Sequence, residues 1–229
     1  MFGTIVNAIA IIAGSILGVS FKGNIPQKYS SILIHAMGLA VILIGFKSAL
    51  NVNNFLLLIF SLAIGSFIGE LLGIERRLET LGQWLETRFA KHGTGISEGF
   101  VTSSLIFCVG SMAIVGSLES GLSGNHQTLL AKSVIDGVSS VVFASSFGIG
   151  VLFSSVTVFI YQGAITITSS YVKDYLNAAV IADMSAVGGL LITAIGINML
   201  RTAKIKVGNM LPSIFIPLIY YSIKTIIKF

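Results

Sequence analysis

The sequence is poor in charge. Asp, Glu, Lys and Arg make up only 10% of its 229 residues, against about 25% in an average soluble domain. Hydrophobic residues reach 54%, and the mean hydropathy is +0.94. A soluble fold of this length could not hide so much apolar surface, because much of any folded surface stays wet. Lipid removes that difficulty. At about 20 residues per crossing, seven or eight spans use most of the chain and leave no room for a separate soluble domain.

Other shortages narrow the function. A single cysteine, Cys108, excludes an intrachain disulfide. Three scattered histidines, His35, His92 and His126, exclude a histidine metal cluster. There is no HExxH, P-loop or paired CxxC, and no nucleophile–base constellation stands out, so neither a catalytic site nor a bound cofactor or metal is expected. An arginine ladder for voltage sensing is absent as well. The N-terminus lacks a basic region and a small-residue cleavage site, and reads as a retained first span. The net charge of +5 does not point to nucleic acid, because the basic residues sit in short loops between apolar runs rather than in one patch.

What is present is a series of eight apolar segments. They run from about Phe2 to Phe21, Ser30 to Leu50, Phe55 to Gly73, Phe100 to Leu118, Leu129 to Phe147, Gly148 to Ile167, Ala178 to Leu200 and Met210 to Ile227. The expected fold is an all-α bundle of seven or eight spans forming one integral membrane domain. Residues 1–73 hold the first three spans, 98–147 two polar, Gly/Ser-rich ones, and 148–229 the last three. The fifth segment is the least apolar, and a re-entrant path is its alternative. Residues 74–97 read as one amphipathic interfacial helix. Ile74, Leu78, Leu81, Leu85 and Phe89 recur at spacings of three and four, and Trp84 is placed as an interfacial ring.

Basic residues mark the orientation. Lys22 and Lys28 lie in the first loop, Arg76, Arg77, Arg88 and Lys91 in the third, and Arg201, Lys204 and Lys206 in the seventh. The even-numbered loops are not basic. Eight crossings with both termini outside a bacterial inner membrane fit this pattern. Lys224 and Lys228 then lie on the less favoured side.

Small residues recur at packing intervals. Gly14 and Gly18 are four apart, and Gly65, Gly69 and Gly73 extend that spacing to three. Such stripes let helix backbones approach closely within one chain; a homo-oligomer interface is the alternative. A weak internal likeness links Gly38–Gly45 (GLAVILIG) with Gly189–Gly196 (GLLITAIG). Segments one to three and six to eight would then be inverted copies, a recurring plan of transporters.

The fourth and fifth segments carry the chemistry. Hydroxyl residues crowd them, among them Ser103, Ser104, Ser111, Ser117, Ser133, Ser140 and Ser146, and Gly110, Gly116, Gly121 and Gly124 interrupt them. Interrupted, polar helices at membrane depth survive only inside protein or along a wet cavity. Lys132 and Asp136 are four apart, share a helix face and can pair. Either they form a structural ion pair, or they line a pathway. Glu98, Cys108, Ser111, Met112, Asn7, Gln162 and Asp183 complete the set of candidates for a pathway or substrate site. Asn and Gln more often bond across helices than bind substrate, and Cys108 also reads as a small packing residue.

EGFVTSSLIFCVGSMAIVGSLESGL at Glu98–Leu122, KSVIDG at Lys132–Gly137, GIGVLFS at Gly148–Ser154, YQG at Tyr161–Gly163, IKVGNMLP at Ile205–Pro212 and the opening GTIVN at Gly3–Asn7 together resemble the YqgA/YdfK-like family of bacterial membrane proteins, a domain of unknown function. The resemblance puts weight on Glu98, Cys108, Gly110, Ser111, Met112, Gly116, Lys132, Asp136 and Gly137. It implies a Glu-for-Asp exchange at Glu119 that keeps the charge. Two functions follow as expectations. One is a transporter or channel for a small solute or ion. The other is a non-transporting scaffold or sensor that binds a partner through the amphipathic helix.

Overall fold

The computed structural model describes residues 1–22, 27–89, 95–172 and 177–227. Lys91, His92, Lys173 and Lys228, and the side chains of Lys22, Lys28 and Ser111, lie outside the described residues. Helices account for nearly everything described, and no strand occurs among these residues. In chain order they are α1 (Phe2–Lys22), α2 (Gln27–Ala49), α3 (Phe55–Leu72), α4 (Ile74–Arg88), α5 (Ile96–Val109), α6 (Ser111–Leu122), α7 (Gln127–Phe147), α8 (Gly150–Val172), α9 (Ala178–Met199), α10 (Val207–Met210) and α11 (Ile216–Ile227), with a 3-10 turn at Leu211–Phe215 before the last.

Six helices, α1, α2, α3, α7, α8 and α9, are each long and apolar enough to cross a membrane. The fourth apolar segment is different: α5 and α6 meet at Gly110 with a bend of 58°, the geometry of a broken span or a re-entrant loop. Among the described residues the bundle therefore holds six or seven such spans, against the seven or eight that the sequence predicts. The fifth segment, α7, is a single helix of 21 residues; the interruption anticipated there lies in the fourth. The eighth segment is not one long helix. Pro212 and Pro217, which cannot donate a backbone N–H, fall where Val207–Ile227 divides into α10, the 3-10 turn and α11.

The expected single helix over 74–97 is also corrected. α4 ends at Arg88, and Ile96 and Ser97 already belong to α5. Gly73 caps α3 at φ +61°, a left-handed conformation, and a Cβ there would meet nothing within 4 Å. Its role is to turn the chain from α3 into α4, not to pack helices as its spacing suggested. Glu86 then closes the polar connection. Its carboxylate accepts from the N–H groups of Gly95 (3.1 Å) and Ser97 (3.3 Å) at the start of α5, where unpaired donors and the helix dipole favour an anion.

The other glycines set the packing. On α1, a Cβ at Gly14 or Gly18 would strike the carbonyl oxygen of Gly137 or Val141 on α7. On α3, Gly65 lies against Ser213 and Gly69 against Asn209. Both stripes are thus used within the chain. On α2 and α9, Gly38 faces Gly196 while Gly45 faces Gly189.

These pairings also fix direction. Gly3 opposite Leu129 and Gly18 opposite Val141 make α1 and α7 parallel. Gly150 opposite Ile96 and Gly121 opposite Thr166 make α8 parallel to α5–α6. α2 and α9 are antiparallel, as are α3 and the Val207–Phe215 region. Strict alternation of the eight segments demands each of these four relations. The outward faces are apolar: Leu39, Leu43, Phe60, Phe67, Leu71, Val134 and Ile160 are all exposed, as lipid contact requires.

Candidate functional site

α1, α7 and α8 converge on four polar side chains. Lys132 and Asp136 lie on the inward face of α7, 5% and 4% exposed, and Asn7 of α1 and Gln162 of α8 are fully buried. Lys132 Nζ donates to both oxygens of Asp136, at 2.8 and 2.7 Å. Asn7 Nδ2 donates to Asp136 Oδ2 at 3.0 Å and to Gln162 Oε1 at 3.3 Å. With about 1.5 Å of rise per residue, Asp136 sits some 13 Å into α7.

The polarity of this chain is fixed by the charges. The carboxylate of Asp136 can only accept, so Asn7 must turn its amide nitrogen toward it. The same nitrogen then demands the carbonyl oxygen of Gln162. Two atoms are left over. Asn7 Oδ1, an acceptor, and Gln162 Nε2, a donor, are buried without a hydrogen-bond partner, although buried polar groups are nearly always satisfied.

More unpartnered hydroxyls lie on the same helices. Thr4 is one turn from Asn7 on α1, and Thr166 one turn from Gln162 on α8. In parallel and antiparallel terms both lie toward the same end, the end at which α1 begins. Tyr161 beside Gln162, Ser117 on α6, and Ser103 and Ser104 on α5 also carry buried hydroxyls with no partner. The hydroxyls of α7 behave otherwise. Ser133 and Ser140 donate to the carbonyls of Leu129 and Asp136, four residues back, so the helix itself satisfies them. The sequence marked both groups alike.

The remaining candidates are placed as follows. Cys108 is buried near the C-terminus of α5, within electrostatic range of Lys132 and Asp136. Met112, half-buried, lies just past the Gly110 break in α6. The break brings the Val109 carbonyl against α9, where a Cβ on Gly188 would lie 2.7 Å from it. Glu98 is exposed, away from the buried cluster, at an open cavity of about 830 Å³. That cavity is lined by Thr102 and Leu105 of α5 and ringed by Glu75, Arg201, Lys204 and Lys206. It opens on the side of the basic loops, and the α5 face that lines it continues one turn further to Cys108.

Asp183 belongs elsewhere. Its Oδ1 accepts from the N–H groups of Asn53 (2.9 Å) and Asn54 (3.1 Å), and Oδ2 from the Tyr221 hydroxyl at 3.1 Å. It ties α9 to the α2–α3 turn and to α11, and these bonds are structural. A second polar joint holds α10. Asn209 Oδ1 accepts from the Glu75 N–H at 2.7 Å, Asn209 Nδ2 donates to Glu70, and Lys206 Nζ donates to Glu70 Oε1 at 2.8 Å. Burial pushes the Glu75 carboxyl above the usual carboxylate range, against the opposing pull of the Gly208 N–H. Asn209 and Glu86 escaped the sequence reading because each acts on backbone groups distant or irregular in sequence. No group of three or more His, Cys, Asp or Glu able to hold a metal occurs among the described residues.

A family model described as "Protein of unknown function (DUF554)" matches residues 2–222. The chain belongs to this DUF554 family. The "Uncharacterized membrane protein YdfK" of Bacillus subtilis (strain 168) is 38% identical over 221 residues, covering 95% of this chain and 94% of its own. The "Uncharacterized protein YqgA" of Escherichia coli (strain K12) is 27% identical over 222 residues, covering 94% of each. No solved structure matches. The DUF554 match includes α1, α7 and α8, and therefore the whole buried cluster.

Proposed function

We propose that this DUF554 protein is a transporter or channel for a small solute or ion in a bacterial inner membrane, with its basic loops inside. One observation carries the reading. A charged pair and two amides, buried between helices, keep an acceptor and a donor unused. An ion pair serving structure alone has no need of unsatisfied neighbours, whereas a pathway needs groups that can bond to what passes. The open cavity on the basic side and the buried, unpartnered Thr4 and Thr166 hydroxyls on the other side of the cluster support a polar route that continues on both sides of the pair. The α5–α6 break supports the same reading, since broken spans recur at transport sites. The antiparallel α2–α9 contact, with its reciprocal glycines, supports an inverted-repeat plan.

The scaffold reading has less support. α4 turns Gly82 and Leu85 inward onto α5, and its exposed Leu81 and Trp84 suit a lipid interface.

Reconstitution tests the proposal. In proteoliposomes, replacing both Lys132 and Asp136 by alanine should slow solute flux about tenfold or more, equivalent to ~1.4 kcal/mol on the barrier. The comparison is made at matched monodispersity in detergent. Undiminished flux through a folded double variant removes the pair from the mechanism.

A further inference from the structure

We infer that the occupant of the buried cluster is a small polar solute of zero net charge, with the α-amino-acid zwitterion as the member that engages every group. The inference rests on the transport reading and narrows it.

The charge of the site comes first. Lys132 and Asp136 cancel. Among the described residues the other buried charged side chain, Asp183, is occupied by Asn53, Asn54 and Tyr221. A bare cation or anion arriving here would leave an uncompensated charge between helices, where desolvation is costly. A solute without net charge adds none.

The unused hydrogen-bonding groups come second. Asn7 Oδ1 offers an acceptor and Gln162 Nε2 a donor, and the two amides meet without these atoms bonding to each other. A bare cation could use only the acceptor, and a halide only the donor. A molecule carrying both a donor and an acceptor satisfies both together. A zwitterion can do more. Its carboxylate can replace Asp136 at the Lys132 ammonium, while its ammonium bonds to the Asp136 carboxylate that Lys132 releases. One internal pair becomes two external ones, with no change in total charge. The site's members already touch one another, so room arises by parting this pair, which limits the solute to a few heavy atoms at the cluster.

The test uses full-length protein in phosphatidylethanolamine–phosphatidylglycerol vesicles, with five probes: glycine, urea, methylammonium, acetate and potassium. Glycine uptake should exceed that of protein-free vesicles by about tenfold or more and should not respond to an imposed membrane potential. Urea should cross measurably. The single-charge probes should remain near the protein-free rate. Lys132→Gln and Asp136→Asn should each cut glycine uptake about tenfold. The double variant Lys132→Gln/Asp136→Asn, which leaves no unpaired charge to compromise folding, should lose glycine uptake and slow that of urea less. Transport of methylammonium, acetate or potassium in preference to glycine and urea overturns the zero-charge assignment and leaves a transporter standing. If none of the five crosses, the transport reading falls, and this inference with it.

Discussion

At the scale of single residues, Lys132 and Asp136 show how burial makes charge an all-or-none commitment. Removing one partner strands the other in a low-dielectric interior, which typically costs 3–5 kcal/mol. Lys132→Met and Asp136→Leu as single changes should therefore lower stability in detergent by about that much. The double variant should recover most of the loss, because an apolar pair of similar volume needs no counter-ion. Thermal unfolding of the three variants decides this, and a double variant as unstable as the sum of the singles would contradict it. Asn7→Leu should destabilise by about 1–3 kcal/mol, since it removes the Nδ2 donor and leaves the Gln162 carbonyl unmatched. Much of this cluster was legible in the sequence. Spacing of four put Lys132 and Asp136 on one face, and Asn7 and Gln162 stood out as polar residues in apolar runs. Their meeting was not legible, because it depends on the rotation of α1 and α8 about their axes. Asp183 carries the same kind of signal yet serves the α2–α3 turn. A carboxyl group in an apolar run reveals that it is buried, not what it faces.

At the scale of elements, glycines at similar spacing do different work. A Cβ at Gly69 would collide with the Asn209 backbone, so Gly69→Ala must push α3 off α10. A cost of about 1–3 kcal/mol is expected, as for other overpacked cores. Gly73 has open space around it but a φ of +61°. Gly73→Ala should cost roughly 1–2 kcal/mol from backbone conformation alone, and Gly73→Asn, which tolerates the left-handed region, should cost less. Comparing alanine with asparagine at both positions separates the mechanisms: asparagine should be worse than alanine at Gly69 and better at Gly73. The sequence placed Gly65, Gly69 and Gly73 on one stripe because helical spacing assumes the helix continues. Where α3 ends is decided by the bonds α4 and α10 make around Glu70, Glu75 and Asn209. The Gly110 break is legible only as a lowered helix propensity.

At the scale of the whole molecule, the open question is the path of the last segment. Length and apolarity alone identify six unbroken spans and one broken pair, and a chain with seven crossings would put its C-terminal region inside. Packing direction argues for an eighth. The region from Asn209 to Ser213 runs antiparallel to α3 along Gly69 and Gly65, and α11 continues from it, bonded through Tyr221 to Asp183. Asp183 in turn holds the Asn53–Asn54 turn, which lies at the end of α3 opposite the basic loops. A segment that begins at Glu70 and Lys206 and reaches Asp183 has traversed the length of α3, about 26 Å for its 18 residues, comparable to the hydrocarbon thickness. Single cysteines in a Cys108→Ala background give the answer with a membrane-impermeant maleimide on intact cells. Asn125→Cys, in the α6–α7 turn, should label, and Arg77→Cys should not. Lys224→Cys, exposed near the end of α11, should label like Asn125→Cys. Labelling of Lys224→Cys only after the membrane is opened would leave seven crossings and place α11 on the inner surface.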